Sequence, residues 1–421
     1  MPEKERVYTS TRGYDLQLKI KDLDYTGDLA NVMIVTSLSA ANQVIVLTMN
    51  LDPNDIILED IFGAEPLKLS IRLLGQGKIP IEQIDFELMY IISDFITTPK
   101  QNLSEGKQKD RAPITITTVC RKAFKTMNTL VNDVFTGFTI REILEELASN
   151  LEATVEYDLD GENKEIIDQC CIPPTTLYRV IKEYSSNPDS PYDGYLDRFF
   201  GLFDGVAGVF CQYDNKIYIK NLTKKLDKSQ TFTIYQLASG TDNTEIIDKS
   251  IDGKNFYTYA SISNDWSGNA KYSVLAPVVK YITIPKDDLV YTITKNLDDI
   301  VSSYSCAYKN KKIKTDSDIS SNDTRIRYDN DPGFEKNETL FNSRLGRTLA
   351  DLSSMSIEIE KNLPILNLMN VGECVKLVTQ TLEYIDLSGK YILWSSELNF
   401  TKEGEWHSTA RINLSRTNKK I

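Results

Sequence analysis

The chain has 421 residues, 41% of them hydrophobic and 26% charged, enough to bury large cores in two to four domains. Its formal net charge of −12 excludes the basic footprint that sequence-neutral nucleic-acid binding needs. Six cysteines (Cys120, Cys170, Cys171, Cys211, Cys306 and Cys374) with no C-x-x-C spacing exclude a disulfide framework at this length and fit a reducing compartment. The opening MPEKERVYTSTRGYD has no apolar core and does not read as a secretory leader.

Residues 1–118 read as β throughout. Tyr14, Leu16, Leu18 and Ile20 alternate with polar residues, as do Leu67, Leu69, Ile71 and Leu73, and then Ile84, Phe86, Leu88 and Tyr90. A period of two gives strands with one dry face and one wet face. Leu29 to Leu51 carries no charge, but Asn31, Thr36, Asn42, Gln43 and Thr48 would be costly in lipid. Two strands around a Ser39–Asn42 turn explain it better than a membrane span. Ile114–Val119 adds a strand, and six or so strands without a helix predict a small closed barrel. The polar connection Pro99–Pro113 predicts a mobile loop at a barrel mouth.

Residues 119–221 change character. Thr139 followed by Glu142 is a capping box. Ile140, Ile143, Leu144, Leu147 and Leu151 then form a stripe at helical spacing, with Gly137 permitting the turn ahead of it. Strands are predicted at Ala153–Leu159 and near Ile166–Ile172. Pro173 and Pro174 start a second helix carrying Leu177, Val180, Ile181 and Tyr184 on one face. A hairpin follows, with Val206–Tyr213 and Lys216–Asn221 flanking Asp214–Asn215. Together these make a compact α/β domain.

Residues 222–262 return to β, with strands at Thr231–Leu237 and Phe256–Ser263. Residues 263–351 have a different composition: Trp266, strand-like pieces at Val278–Ile284, Val290–Thr294 and Ser303–Tyr308, a lysine cluster, and a polar acidic run up to Glu338. A helical spacing follows over Leu340–Leu352. In residues 352–421, Met355, Ile357 and Ile359 resume alternation. Ile392, Trp394, Leu398 and Phe400 are read as one strand face. Trp406, Ala410, Ile412 and Leu414 form another, across a turn at Gly404.

The chemistry of a site is sparse. His407 is the sole histidine and lies on the polar face of the last strand, so a Ser/His/Asp or Cys/His centre is not expected there; a surface or interface side chain is. Zinc lacks ligands. Asp316, Asp318 and Asp323 begin like a calcium loop, but Ser321 and Arg327 stand where glycine and glutamate are needed. Gly201, Gly205 and Gly208 lack the Lys-Ser/Thr of a phosphate loop, and Gly75-Gln76-Gly77 is a bare turn. Glu142, Glu145 and Glu146 read as a solvated helix face, and Lys309, Lys311, Lys312 and Lys314 as a solvated loop. Paired carboxylates for glycoside cleavage stay open, since 60 acidic residues always offer pairs. No cofactor and no metal are expected, and no residue is assigned to an interface.

The order of parts near the C-terminus resembles a known family. Gly372-x-x-Val375-x-Leu377, then Ser388-Gly389-Lys390-Tyr391-Ile392-Leu393, a hairpin, and Thr409-x-x-Ile412-x-Leu414-x-Arg416 are similar to the closing barrel of the central hub protein of contractile phage baseplates. That hub architecture is shared with the type VI secretion spike. Phe135, Thr139, Glu142, Ile143 and Leu144 resemble the opening of the family's middle domain. Gly205 or Gly208, Phe210, Asp214, Asn215, Ile217 and Ile219 resemble its close.

The resemblance implies a mainly β chain with α+β parts: two similar antiparallel barrels, an α/β domain between them and an insertion in the second barrel. The divisions are a first barrel over 1–118, the α/β domain over 119–221, a second barrel split into 222–262 and 352–421, and an inserted domain over 263–351. It further implies a non-enzymatic homotrimer whose six barrels join a hexameric tail tube to a trimeric spike. Wedge proteins would surround it and DNA would pass through a channel without specific binding. A tail-associated cell-wall hydrolase, or a receptor- or glycan-binding tail-tip module displaying Trp266 or Trp406, are the alternatives.

Overall fold

In the computed structural model the period-two segments become strands with alternately buried side chains. The structure describes residues 13–38, 43–51, 65–75, 78–92, 112–150, 152–158, 166–167, 170–171, 175–176, 207–211, 216–221, 230–236, 255–258, 263–264, 306–308, 311–313, 355–359, 365–378 and 388–415. The first six long strands are β1 (Gly13–Ile20), β2 (Leu29–Ser37), β3 (Val44–Leu51), β4 (Leu67–Leu74), β5 (Pro80–Ile92) and β6 (Ala112–Cys120). The middle of the chain supplies α1 (Arg121–Asn128), α2 (Ile140–Ser149), β7 (Thr154–Asp158), β8 (Ala207–Cys211) and β9 (Lys216–Asn221). The remaining strands are β10 (Phe232–Gln236), β11 (Asn255–Thr258), β12 (Met355–Ile359), β13 (Cys374–Val378), β14 (Gly389–Glu403) and β15 (Glu405–Ser415).

Eight of these strands close an antiparallel ring in the order β14-β2-β3-β6-β5-β4-β1-β15, with β15 pairing back onto β14. Its interior is filled by the dry faces. Leu16, Leu18, Leu69, Ile71, Phe86, Ile45, Leu47, Val32, Ile34 and Phe400 are all almost wholly buried. At about 1.5–3 kcal/mol for each large apolar side chain, this interior is the main source of stability.

The ring does not close within residues 13–120. Its two ends, β1 and β2, are bridged by the C-terminal hairpin, so the expected small barrel over 1–118 is completed from the far end of the chain. The charge-free stretch forms β2 and β3 as expected. The turn residues 39–42 and most of the connection 99–113 lie outside the described residues, although Ala112 and Pro113 already belong to β6.

A second barrel shares that hairpin. Its path runs β12-β15-β14-β13-β10-β11, and β11 lies beside β12. Here β10 runs parallel to both β13 and β11, unlike the all-antiparallel first ring. Phe232, Phe256, Ile234, Val375, Leu377, Leu393, Ile357 and Leu414 fill it, and the apolar clusters of the two barrels are continuous. Ser263–Asn264 pairs with Met355–Ser356, so the residues that flank 265–354 are neighbours in the sheet. Within that stretch only Cys306–Tyr308 and Lys311–Ile313 are described, as a two-stranded hairpin that includes Lys311 and Lys312. The other strands and the helical spacing expected there lie outside the described residues.

Between the barrels, β7 pairs parallel with β9 and β8 antiparallel with β9, giving a mixed three-stranded sheet. The capping box forms at α2: the Glu142 amide donates to Thr139 Oγ1 at 3.3 Å, and the Thr139 amide donates to Glu142 Oε2 at 2.7 Å. The bonds from the Thr139 backbone and hydroxyl hold the Glu142 carboxyl below its ordinary range. Ile143 and Leu147 are buried, Glu142, Glu145 and Glu146 are exposed, and Gly137 takes a φ of 75° at the turn ahead. α1 has no counterpart among the sequence expectations. It is a single eight-residue helix whose Ala123 and Thr126 face inward. Of the expected helix after Pro174, Thr175–Thr176 instead pairs with Leu130–Val131, and the rest lies outside the described residues.

Candidate assembly interface

The strand hairpin β14–β15 is where the two barrels become one body. The half of β14 nearest the turn, Ser395 to Thr401, pairs with β2. The half nearest its start, Gly389 to Ile392, pairs with β13. The change of partner coincides with a β-bulge between Leu393 and Ser395, where Trp394 is the additional residue. A bulge bends a strand and increases its local twist, which lets one strand leave one barrel and enter another.

The bulge also overturns one expectation. Ile392 and Trp394 do not share a face with Leu398 and Phe400. Leu393 stands opposite Leu414, then Ser396, Leu398 and Phe400 stand opposite Ile412, Ala410 and Ser408. The dry face therefore moves from odd to even positions across Trp394. All of Tyr391–Trp394 is buried, because this half lies between the barrels. Gly404 closes the hairpin with a φ of 81°, a conformation glycine adopts without steric penalty.

The 3₁₀ turn Ile365–Met369 inserts at the same joint, with Ile365, Leu366, Leu368 and Met369 all buried. The Ile365 amide donates to the Tyr14 hydroxyl at 3.0 Å, and the Tyr14 ring meets Phe400 edge-on at 5.0 Å. A second joint ties the mixed sheet to the second barrel. Lys220 of β9 reaches Glu373 Oε1 at 2.8 Å and donates to the Val371 carbonyl at 3.0 Å. Thr231 donates its hydroxyl to the other Glu373 oxygen at 2.9 Å. The Lys220 side chain is 7% exposed and that of Glu373 16% exposed, so the pair is largely desolvated.

The outside of the first barrel has two kinds of wall. Across β1, β4 and β5 the outward rows read Asp15–Arg72–Gln83, Gln17–Ser70–Asp85 and Lys19–Lys68–Glu87. Arg72 approaches Asp15 at 3.6 Å and donates to Gln83 at 3.0 Å, Gln83 donates to Asp85 at 2.9 Å, and the Ser70 hydroxyl donates to Asp85. This is a wet, charge-alternating surface. Across β2, β3 and β6 the rows read Asn31–Thr48–Thr115, Met33–Val46–Thr117 and Val35–Val44–Val119, without an ionisable group, and Val119 at the end of the last row is buried. The two walls correspond to the charged alternation and the charge-free stretch of the sequence.

No group of three or more His, Cys, Asp or Glu side chains suited to a metal occurs among the described residues. His407 lies opposite Thr401 near the hairpin turn and is half-buried. Trp406 is buried, with Lys402 Nζ 5.8 Å from its ring centre, so it is not the exposed platform that a glycan-binding module requires. Trp266, the calcium-like Asp316, Asp318 and Asp323, and Gly201 and Gly205 lie outside the described residues. Cys120 and Cys374 are buried. No described helix is long and apolar enough to cross a membrane.

No protein-family model matches the chain, and no curated protein sequence matches it. Solved structures do. The 43 kDa tail protein of prophage MuSo2 from Shewanella oneidensis aligns over 97% of this chain and 99% of its own, with a TM-score of 0.52 and 12% identity. The tail protein from Neisseria meningitidis MC58 aligns over 96% and 97%, with a TM-score of 0.52 and 9% identity. The chain therefore has the fold of these tail proteins along nearly its whole length.

Proposed function

We propose that the chain is a structural, non-enzymatic hub of a contractile-tail baseplate. Three copies form a trimer whose six barrels make a pseudo-six-fold ring. One face of the ring meets the hexameric tail tube or its initiator, the other meets the trimeric central spike, and wedge proteins attach around it. DNA passes through the central channel without specific binding. The protein assembles in the host cytoplasm and resides in the virion tail. The divisions at 118, 221, 262 and 351 belong to this proposal, with the qualification that β14 and β15 serve both barrels.

The observation that carries the proposal is the fusion of two barrels through one hairpin in a chain that matches a prophage tail protein and a second tail protein over nearly their whole length. Two barrels per chain, tripled about an axis, give six comparable units. A three-fold object can then seat on a six-fold one. Rigid closed sheets suit the task, since they present no open edge to neighbours.

The test is the mass of the purified chain across a concentration series, with images of the assembled species. Three times the chain mass of 47.8 kDa and a three-fold ring with six lobes are expected. Antibody labelling of intact particles should decorate the end of the tail. Label confined to the capsid or to lateral fibres, or an assembly with two-fold symmetry, overturns the proposal.

A further inference from the structure

We propose that the closing seam of the first barrel binds an internal water, held by Ser396, Thr36 and Gln43. Ser396 of β14 stands opposite Thr36 of β2. Gln43, just ahead of β3, donates its side-chain amide to Thr36 Oγ1 at 2.9 Å. The three lie on the inward faces of their strands, in the row next to Leu398, Ile34 and Ile45. Ser396 and Thr36 are 2% exposed and Gln43 1%. Among the described residues, Ser396 Oγ and Gln43 Oε1 have no hydrogen-bond partner. Thr36 Oγ1 accepts from Gln43, which leaves its own proton to donate.

A buried polar group without a partner forfeits the bonds it makes to solvent in the unfolded chain, and folded interiors meet that cost with ordered water. The chemistry of the row selects water as the occupant. Two hydroxyl protons need an acceptor and one amide oxygen needs a donor. A water supplies both from a single point, with up to four bonds. A cation would leave the hydroxyl protons unanswered, and an anion would face the Gln43 oxygen. Turning the Gln43 amide over changes which of its atoms bonds Thr36 and leaves the other one unpaired, so the need persists either way. Ser396 and Thr36 are smaller than Leu398 and Ile34 in the next row, which leaves space. A third unpartnered atom, Asn413 Oδ1, lies on the other face of the sheet, where the Asn413 amide donates to Ser395 at 2.9 Å, and takes no part. The water completes the seam where residues 31–37 meet 395–401. Sliding β14 by two residues along β2 keeps every side chain on its face but sets Ser396 against Ile34 or Leu38 and disperses the site. Hydration of this row therefore favours the native register over its nearest alternatives.

The experiment is a crystal structure of the wild-type full chain at a resolution that shows ordered water, with denaturant melts of Ser396→Ala, Gln43→Met and the double variant. The structure should show a density peak about 3 Å from Ser396 Oγ, Thr36 Oγ1 and Gln43 Oε1. Each single variant should lower the denaturant midpoint. The double variant should fall by less than the sum of the two, since both substitutions act on one shared molecule. A wild-type structure without that peak, or with Ser396 and Gln43 turned to bond each other directly, overturns the inference. Single variants with raised midpoints overturn it too, because removing an unpartnered polar group from a dry interior stabilises. Losses that add in the double variant count against a shared water in the same way. None of these readouts depends on the oligomeric state, so the site and the hub reading stand or fall separately.

Discussion

Lys220 is the residue whose neighbourhood is hardest to account for locally. Its partner Glu373 is 153 positions away, and both groups are largely withdrawn from water. Such a pair gains little over well-packed apolar side chains, because desolvation offsets much of the Coulomb attraction. Breaking it is another matter, since the remaining charge stays buried without a counter-ion. Lys220→Met should therefore destabilise the chain by about 3–5 kcal/mol, read as a lowered denaturant midpoint. Combining it with Glu373→Gln should recover most of that loss. A double variant as unstable as the sum of the two single ones would mean the residues act independently. The sequence places Lys220 on a strand, correctly, but nothing local points to Glu373. The Thr139–Glu142 cap was legible because both partners lie within one turn.

Strands and helices show the same division between local and distant information. Alternation in β1, β4 and β5 identifies both the elements and their dry faces, because each side chain faces the core through its own backbone. The run Tyr391-Ile392-Leu393-Trp394 has four apolar residues in succession, so no parity can be read from it. The bulge sits there unseen, and Leu398 and Phe400 are correctly paired with each other but wrongly with Ile392. α1 escaped for a related reason. Eight residues hold too little periodicity to be distinguished from the end of β6. The bulge is open to a direct test. Deleting Trp394 would leave Leu393, Ser396, Leu398 and Phe400 on one face, but it removes a buried indole and the bend that carries β14 from one barrel to the other. Loss of the buried side chain alone costs about 3–5 kcal/mol, a large part of the stability of an ordinary domain, and the lost bend adds to it. Soluble yield should collapse, whereas Trp394→Phe, which keeps the residue count, should remain folded. A soluble deletion variant melting within a few degrees of wild type would show that β14 needs no bulge to pass between the barrels.

At the scale of the molecule, the two ends of the chain depend on each other. β1 lies near the start of the sequence and β15 near its end, yet they are neighbours in one ring, and β2 meets β14 across an equally long separation. Two barrels were legible as two regions of alternation; which strands close which ring was not, because pairing over such distances leaves no trace in either segment. The consequence is a single cooperative unit. Until β14 and β15 are in place, β1 and β2 are open edges, and an open edge recruits other chains. Long-range closure of this kind also folds slowly, so the exposed interval is long. A chain ending at residue 378 should lose the first barrel as well as the second, although every residue from 13 to 120 is present, and should be recovered as aggregate. In the full chain, Trp394 and Trp406 both lie on the shared hairpin, so their fluorescence reports the joint while far-UV circular dichroism reports all strands. The two signals should change together in one denaturant transition. A truncated chain that stays monomeric with a native-like spectrum, or a fluorescence change well separated from the loss of β structure, would mean that the first barrel stands alone and that the hairpin only rests against it.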